Sequence, residues 1–267
     1  MNKSYGVSIS QPFEDVFSCG LFDCVEFCKS YLEDENSFIQ FKEHALQIGE
    51  YSRKYHVPVR SFHLPFCSSE VWCFNPSALS NEIREKTFEH TKQVLDVVIP
   101  LGIRYLVIHG SLRVTPEERD QHIACFIGYI QKLCDYVKPF GITVAVETLK
   151  PRCICNGLKE LLAIMEGAQR DNLGICFDSN HLLEEDNYHF LENAGQYVVT
   201  THLSDFDGID ERHWYPGRGI NDWKRITKIL TDKGYDQPWV FEVTFPDGIA
   251  TTEECRTLIS QWESLFA

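Results

Sequence analysis

Short unbroken runs of apolar and β-branched residues recur along the chain, at Gly6–Ser10, Cys24–Phe27, Val57–His63, Tyr105–His109, Thr143–Glu147, Gly174–Asp178, Val198–His202 and Trp239–Val243. A strand with both faces covered shows continuous apolar character rather than strict alternation, so these runs predict buried parallel strands. The intervals carry helical patterns. The sharpest begins at Thr115-Pro116-Glu117-Glu118, which predicts a helix capped by Thr115, with Pro116 in the first turn and Glu118 completing a capping box. Ile123, Phe126, Ile127, Ile130, Leu133, Cys134 and Val137 extend it as one apolar stripe, and Phe140-Gly141 predicts its end. Leu158, Leu161, Leu162 and Met165 mark a second stripe of the same kind.

Eight such runs alternating with helices predict an α/β fold, a single (β/α)8 TIM barrel filling residues 1–267 as one domain. An open doubly wound sheet is the main rival, but no Gly-x-Gly-x-x-Gly turn follows the first run and there is no Walker A sequence. The hydrophobic share of 43% is enough for a sizeable core. A formal net charge of −14 argues against nucleic acid or an anionic membrane as partner, because the overall field repels phosphates. The start, MNKSYGVSIS, has no apolar stretch of signal-peptide length, and no later run approaches a membrane span. Eleven cysteines without a CxxC pair read as reduced thiols, so the expected location is cytoplasmic.

The ends of the strand runs carry the chemistry. The third ends on His63, the fourth on His109, the fifth on Glu147, the sixth on Asp178 with His181 close behind, and the seventh on His202 followed by Asp205. The eighth contains Glu242. In a barrel all of these lie at the C-terminal rim, where active sites of this architecture are built. A single histidine after a strand is ordinary. Carboxylates inside VAVET, CFDSN and VFEV are not, since a buried, unpartnered carboxylate costs several kcal/mol or must protonate. Acids converging on one mouth with imidazoles point to a divalent cation. Glu147, Asp178, His202 and Glu242 offer three oxygens and one nitrogen. Such a set suits Mn2+, Mg2+, Co2+ or Fe2+, and Zn2+ can also bind it.

Seven motifs run in order from the third strand to the eighth: HLPF (63–66), IHG (108–110), VETL (146–149), FDSNH (177–181), HLSDFDG (202–208), HWYPGRGINDW (213–223) and FEV (241–243). As a set they resemble the xylose isomerase-like barrel superfamily, in particular its sugar phosphate isomerase/epimerase branch. The resemblance implies Glu147, Asp178, His202 and Glu242 as metal ligands, with Glu147 and Glu242 doubling as acid and base. It implies a small-molecule sugar or sugar phosphate as substrate. A proton next to the carbonyl would be abstracted through a metal-stabilised enediolate. His181 would steady a substrate oxygen, and His63, His109, His213 and Arg218 join it as candidate substrate contacts. A homo-oligomer is compatible with all of this.

The same superfamily contains the endonuclease IV class of abasic-site nucleases, which bind three zinc ions. Their ligand types match His63, His109 and Glu147 for one ion, Glu147, Asp178, His202 and Glu242 for a second, and His181 with Glu211 and His213 for a third. Glu211 stands where that class has Asp, and the longer arm argues against the third ion. The negative charge and the loops, poor in basic and aromatic residues, also favour the isomerase reading. A lyase of the inosose dehydratase type would use the same metal and enolate. Glu26, near the end of the second run, is expected to support a ligand or contact substrate. The aromatics Trp72 and Phe74, in the long stretch after the third run, would either stack on a sugar or pack onto the barrel, and Lys150 and Arg152 sit where they could reach an anionic group.

Overall fold

The computed structural model describes residues 3–111 and 113–267, so Met1 and Asn2 of the MNKSYGVSIS start lie outside the described residues. Strands and helices alternate throughout: β1 (Tyr5–Ile9), α1 (Glu14–Ser18), β2 (Cys24–Cys28), α2 (Glu35–Tyr55), β3 (Val59–His63), α3 (Asn81–Val98), β4 (Tyr105–Ile108) and α4 (Arg119–Val137) make the first half. The second half is β5 (Thr143–Glu147), α5 (Leu158–Ala168), β6 (Leu173–Asp178), α6 (Asn187–Ala194), β7 (Val198–His202), α7 (Trp223–Asp232), β8 (Trp239–Phe241) and α8 (Thr252–Ser264). Every predicted run overlaps one of these strands, with ends that differ by at most two residues.

The eight strands run parallel in the order β7-β6-β5-β4-β3-β2-β1-β8. The barrel closes just past the end of β7, where Leu203 pairs with Phe241 and donates its N–H to the Val240 carbonyl at 2.9 Å. This is a nearly closed (β/α)8 TIM barrel. Side chains alternate between its two faces. On β5, Val144 and Val146 face the helices and join the main core, while Ala145 belongs to a separate small cluster with Val107 and Cys176. Those three residues form an interior layer. Two positions further along each strand stand His109, Glu147 and Asp178, so the same alternation that fills the barrel delivers these side chains to its mouth.

Asp34, Ser80, Asp186, Asp222 and Thr251 cap α2, α3, α6, α7 and α8 through side-chain acceptors. The expected cap of α4 is different. The Thr115 hydroxyl is engaged by the Glu118 carboxylate at 3.0 Å, residues 116–118 form a separate turn, and the helix starts at Arg119 with no side-chain cap. Its end is as expected, a short 3₁₀ turn and then Gly141 in the left-handed region at φ 70°.

The loop after β7 is organised by one buried acid. Asp205 accepts from the N–H groups of Phe206 (3.1 Å), Gly217 (2.8 Å) and Asn221 (3.1 Å) and from Nε1 of Trp223 (3.1 Å). Its backbone pairs with Trp214 in both directions. A Cβ on Gly219 would lie 2.1 Å from the Phe206 carbonyl oxygen, so only glycine fits this close approach. Asp205→Asn keeps the shape but sets an NH2 donor against these N–H donors. It is expected to lower the unfolding free energy by about 2–3 kcal/mol, read by urea denaturation; an unchanged midpoint would show that the loop does not depend on Asp205.

Candidate functional site

Glu147 is the hub of the mouth. It is 1% exposed, and four imidazoles surround its carboxylate. Oε2 lies 2.9 Å from Nε2 of His63 and 2.9 Å from Nε2 of His109. Oε1 lies 3.2 Å from Nδ1 of His202 and 3.4 Å from Nδ1 of His181. Three groups of side chains converge closely enough to hold an ion: His63, His109 and Glu147; Glu147, Asp178, His202 and Glu242; and His181, Glu211 and His213. These are the residues the sequence singled out. The longer arm of Glu211 does not open the third group, because its Oε1 reaches Nε2 of His213 at 2.7 Å and Nε2 of His181 at 3.2 Å.

The ring orientations carry the chemical information. His63 donates from Nδ1 to the Leu64 carbonyl (2.8 Å), His181 from Nδ1 to the Thr148 carbonyl (2.9 Å) and His213 from Nδ1 to the Glu242 carbonyl (3.0 Å). His202 donates from Nε2 to the Glu26 carboxylate at 2.8 Å. In each ring one nitrogen is committed as donor, so the other presents a lone pair. That lone pair faces a carboxylate: Glu147 for His63, Glu211 for His181 and His213, and both Glu147 and Glu242 (3.3 Å) for His202. Two acceptors face to face repel unless a proton or a metal cation lies between them. Asp178 adds to the case. Its Oδ1 accepts the Asn180 N–H at 2.6 Å, while Oδ2 is buried without a hydrogen-bond partner beside this group.

Without an ion, protons must do the neutralising. Burial opposes charge at every one of these groups, yet around Glu147 the facing histidines His109 and His202 outweigh it and hold the carboxyl well below its ordinary value. Burial, reinforced by Glu242 and Glu147, pushes Asp178 up to about 7 against the pull of His181. His202 loses to burial but gains more from Cys176, Glu242, Glu26 and Glu147, and stands well above the ordinary histidine value. His181 is raised well above it too, by Asp178, Glu147 and Glu211 against burial. In His213 burial is outweighed by Glu211 and Glu242, which lift it to about 9. Burial lowers His109.

Local structure holds these groups in place. Glu26, fully buried on β2, accepts from both His202 and Ser8 Oγ (3.0 Å), which fixes the tautomer that turns Nδ1 of His202 towards the acids. Thr148, which the sequence did not flag, clamps Asp178 by accepting its N–H at 2.8 Å and orients His181 through its carbonyl. His213 sits at φ 50°, an uncommon backbone region for a side chain of this size, pinned by the Glu242 carbonyl and by the Thr244 N–H.

Arg218 is exposed and lies over the Tyr215 ring at 4.6 Å, on a segment that Asp205 holds through the N–H groups of Gly217 and Asn221. Trp72 is buried against Phe38 (ring centroids 4.5 Å apart) and is a packing residue. Phe74 borders a cavity of about 770 Å³ together with Phe66, whose ring stacks on His109 at 4.2 Å. Lys150 lines the same cavity and pairs with Glu211 of the third group.

A barrel with acids and histidines at its C-terminal mouth defines a class, and the family can be stated. The model of the xylose isomerase-like TIM barrel family matches residues 13–260, and the chain belongs to that family. An inosose isomerase of Bacillus velezensis is 25% identical over 234 residues, covering 80% of each chain. An uncharacterised protein of Sinorhizobium fredii, y4fM, is 34% identical over 165 residues, which are 60% of this chain and 53% of that one, so the match spans about half the length of that relative. The solved structure of the IolI protein with a bound zinc atom superposes with a TM-score of 0.74 at 16% identity, covering 99% of this chain and 98% of that one.

Burial lifts Asp178 to about 7, so an ion bound there would displace a proton from part of the molecules near neutral pH, because ion and proton compete for the same lone pair. Titration with Mn2+ or Zn2+ in buffers of different ionisation enthalpy is expected to show proton release, and affinity at about pH 6 at least about tenfold below that at about pH 8. Affinity that does not change with pH would contradict the assignment.

Proposed function

We propose that the protein is a divalent-metal-dependent isomerase or epimerase of a sugar or sugar-like ketone, with Glu147 and Glu242 as the proton-transferring pair. The observation that carries this reading is the lone pair of His202 Nδ1, fixed by Glu26 and aimed between the carboxylates of Glu147 (3.2 Å) and Glu242 (3.3 Å) with Asp178 Oδ2 at 4.0 Å. Glu147, Asp178, His202 and Glu242 would hold the ion, and the mixed oxygen and nitrogen donors suit Mn2+, Mg2+ or Co2+, with Zn2+ also accommodated. Bound there, the ion supplies Lewis acidity that polarises a substrate carbonyl and its neighbouring hydroxyl and stabilises negative charge next to them. The zinc in IolI and the isomerase activity named for the Bacillus relative support the assignment.

The protein groups then divide the work. Glu147 and Glu242 approach from different strands, β5 and the end of β8, so one takes the proton from the carbon between the two substrate oxygens and the other returns it from the far side. His181, held by Thr148 and raised well above the ordinary histidine value, would as an imidazolium donate from Nε2 to a substrate oxygen once Glu211 is otherwise engaged. The stack of Phe66 on His109 shields that side of the mouth from water.

A second reading has one specific observation behind it. The closed third group, His181 with Glu211 and His213, together with the first, would make the mouth a multi-metal site of the kind that hydrolyses phosphodiesters, as in abasic-site nucleases. The negative net charge weighs against a nucleic-acid substrate. An inosose dehydratase-type lyase would draw on the same ligands.

Incubation of ketoses and inososes in D2O with Mn2+ is expected to give deuterium incorporation at the carbon next to the carbonyl. Glu147→Gln and Glu242→Gln should each lower it about a thousandfold or more. Cleavage of an abasic-site duplex with no exchange on any ketone would replace this reading with the nuclease, and full exchange in either variant would overturn the two-carboxylate assignment.

A further inference from the structure

The cavity beside the mouth has a charge character opposite to that of the chain. The protein as a whole carries −14, yet the cavity wall brings together Arg113, Lys150 and Arg152 against a single acid, Asp210. Lys150 is engaged by Glu211, which outweighs the effect of burial and raises the lysine above its ordinary value. Arg113 and Arg152 are exposed and form no ion pair among the described residues. They come from different loops, Arg113 after β4 and Arg152 after β5, and the loops are stitched to each other. The Val114 N–H donates to the Arg152 carbonyl at 2.8 Å, and the Ile154 N–H to Ser111 Oγ at 3.3 Å. Arg152 holds φ 75°, a left-handed conformation that a loop arginine adopts only when its surroundings impose it. Ser68 and Ser111, also on the wall, use their oxygens to accept backbone N–H groups from Phe74 and Ile154, which leaves each hydroxyl proton for another acceptor.

Two unpaired guanidinium groups flanked by hydroxyl donors match an oxyanion, which arginine binds through paired N–H groups. The cavity also adjoins the candidate active site, because two of its wall residues touch site residues, Phe66 stacking on His109 and Lys150 pairing with Glu211. We infer that this cavity is the subsite for an oxyanion carried on the substrate, a phosphate monoester or a carboxylate at the end of the carbon chain remote from the reacting carbonyl. The inference rests on the isomerase reading and sharpens it to acidic ketoses. Arg113 and Arg152 then bind and select substrate, and they do not touch the reacting carbon.

Three probes separate the sources of the anion: fructose, fructose 6-phosphate and fructuronate, compared by deuterium exchange in D2O on the metal-loaded protein. At least one anionic ketose should exceed fructose about tenfold or more in kcat/KM. The Arg113→Ala, Arg152→Asn pair should cut that ratio about tenfold, acting on KM, and Arg113→Lys should restore part of it. Both arginines are exposed, and Asn tolerates the left-handed backbone at 152, so the variants should fold. Inorganic phosphate binding, measured by 31P NMR line broadening, should weaken in the double variant to the same degree. Equal exchange on all three ketoses, with phosphate binding insensitive to the variants, would overturn the subsite and leave the isomerase reading standing. Arginine-dependent phosphate binding without exchange on any ketose would instead overturn the assignment of that anion to a sugar.

Discussion

A carboxylate cannot be buried among lone pairs. Glu147 is almost wholly removed from water, and histidines with one nitrogen already committed turn their other nitrogen towards it or towards its neighbouring acids. Protons can settle that conflict only by placing several charges in a cramped, dry space, at a cost of several kcal/mol for each ion imperfectly paired. A single divalent cation held by Glu147, Asp178, His202 and Glu242 would relieve that conflict without adding protons to these groups. The fold supports the arrangement with rigid parts: inward positions on β5 and β6, the Glu26 carboxylate behind His202, and the Thr148 clamp on Asp178.

This constraint also explains where the loops must be firm. The segment after β7 would be free to wander on its sequence alone, with two glycines and a proline in PGRG. Asp205 prevents this by collecting N–H donors from both ends of the segment, and the consequence is felt at His213, which is delivered to Glu211 and the Glu242 carbonyl. The placing of His213 at the mouth and the order of the loop are therefore linked through Asp205.

The barrel was legible because each strand is a compact apolar run and because parallel strands announce themselves without needing their partners. The mouth was legible for a related reason, since a carboxylate in a run such as VAVET contradicts its surroundings. What escaped the sequence depends on contacts between distant segments. The contact of Arg218 with the Tyr215 ring, on a segment held by Asp205, has no signal in the PGRG run itself. Thr115 has the spacing of a helix cap, but its hydroxyl is taken by the Glu118 side chain. Arg113 gave no local signal, and its importance appears only when the Val114–Arg152 hydrogen bond brings the two loops side by side. Glu211 illustrates the reverse case: one extra methylene suggested a poorer ligand, and loop geometry absorbs the difference.

A cation bound beside Glu147 would complete the cluster. Anomalous diffraction from crystals grown with Mn2+ tests it most directly. The expected result is a peak bounded by the side chains of Glu147, Asp178, His202 and Glu242, with Nδ1 rather than Nε2 of His202 facing the ion. A well-ordered mouth with no peak there, and with these acids neutralised by protons alone, would contradict it.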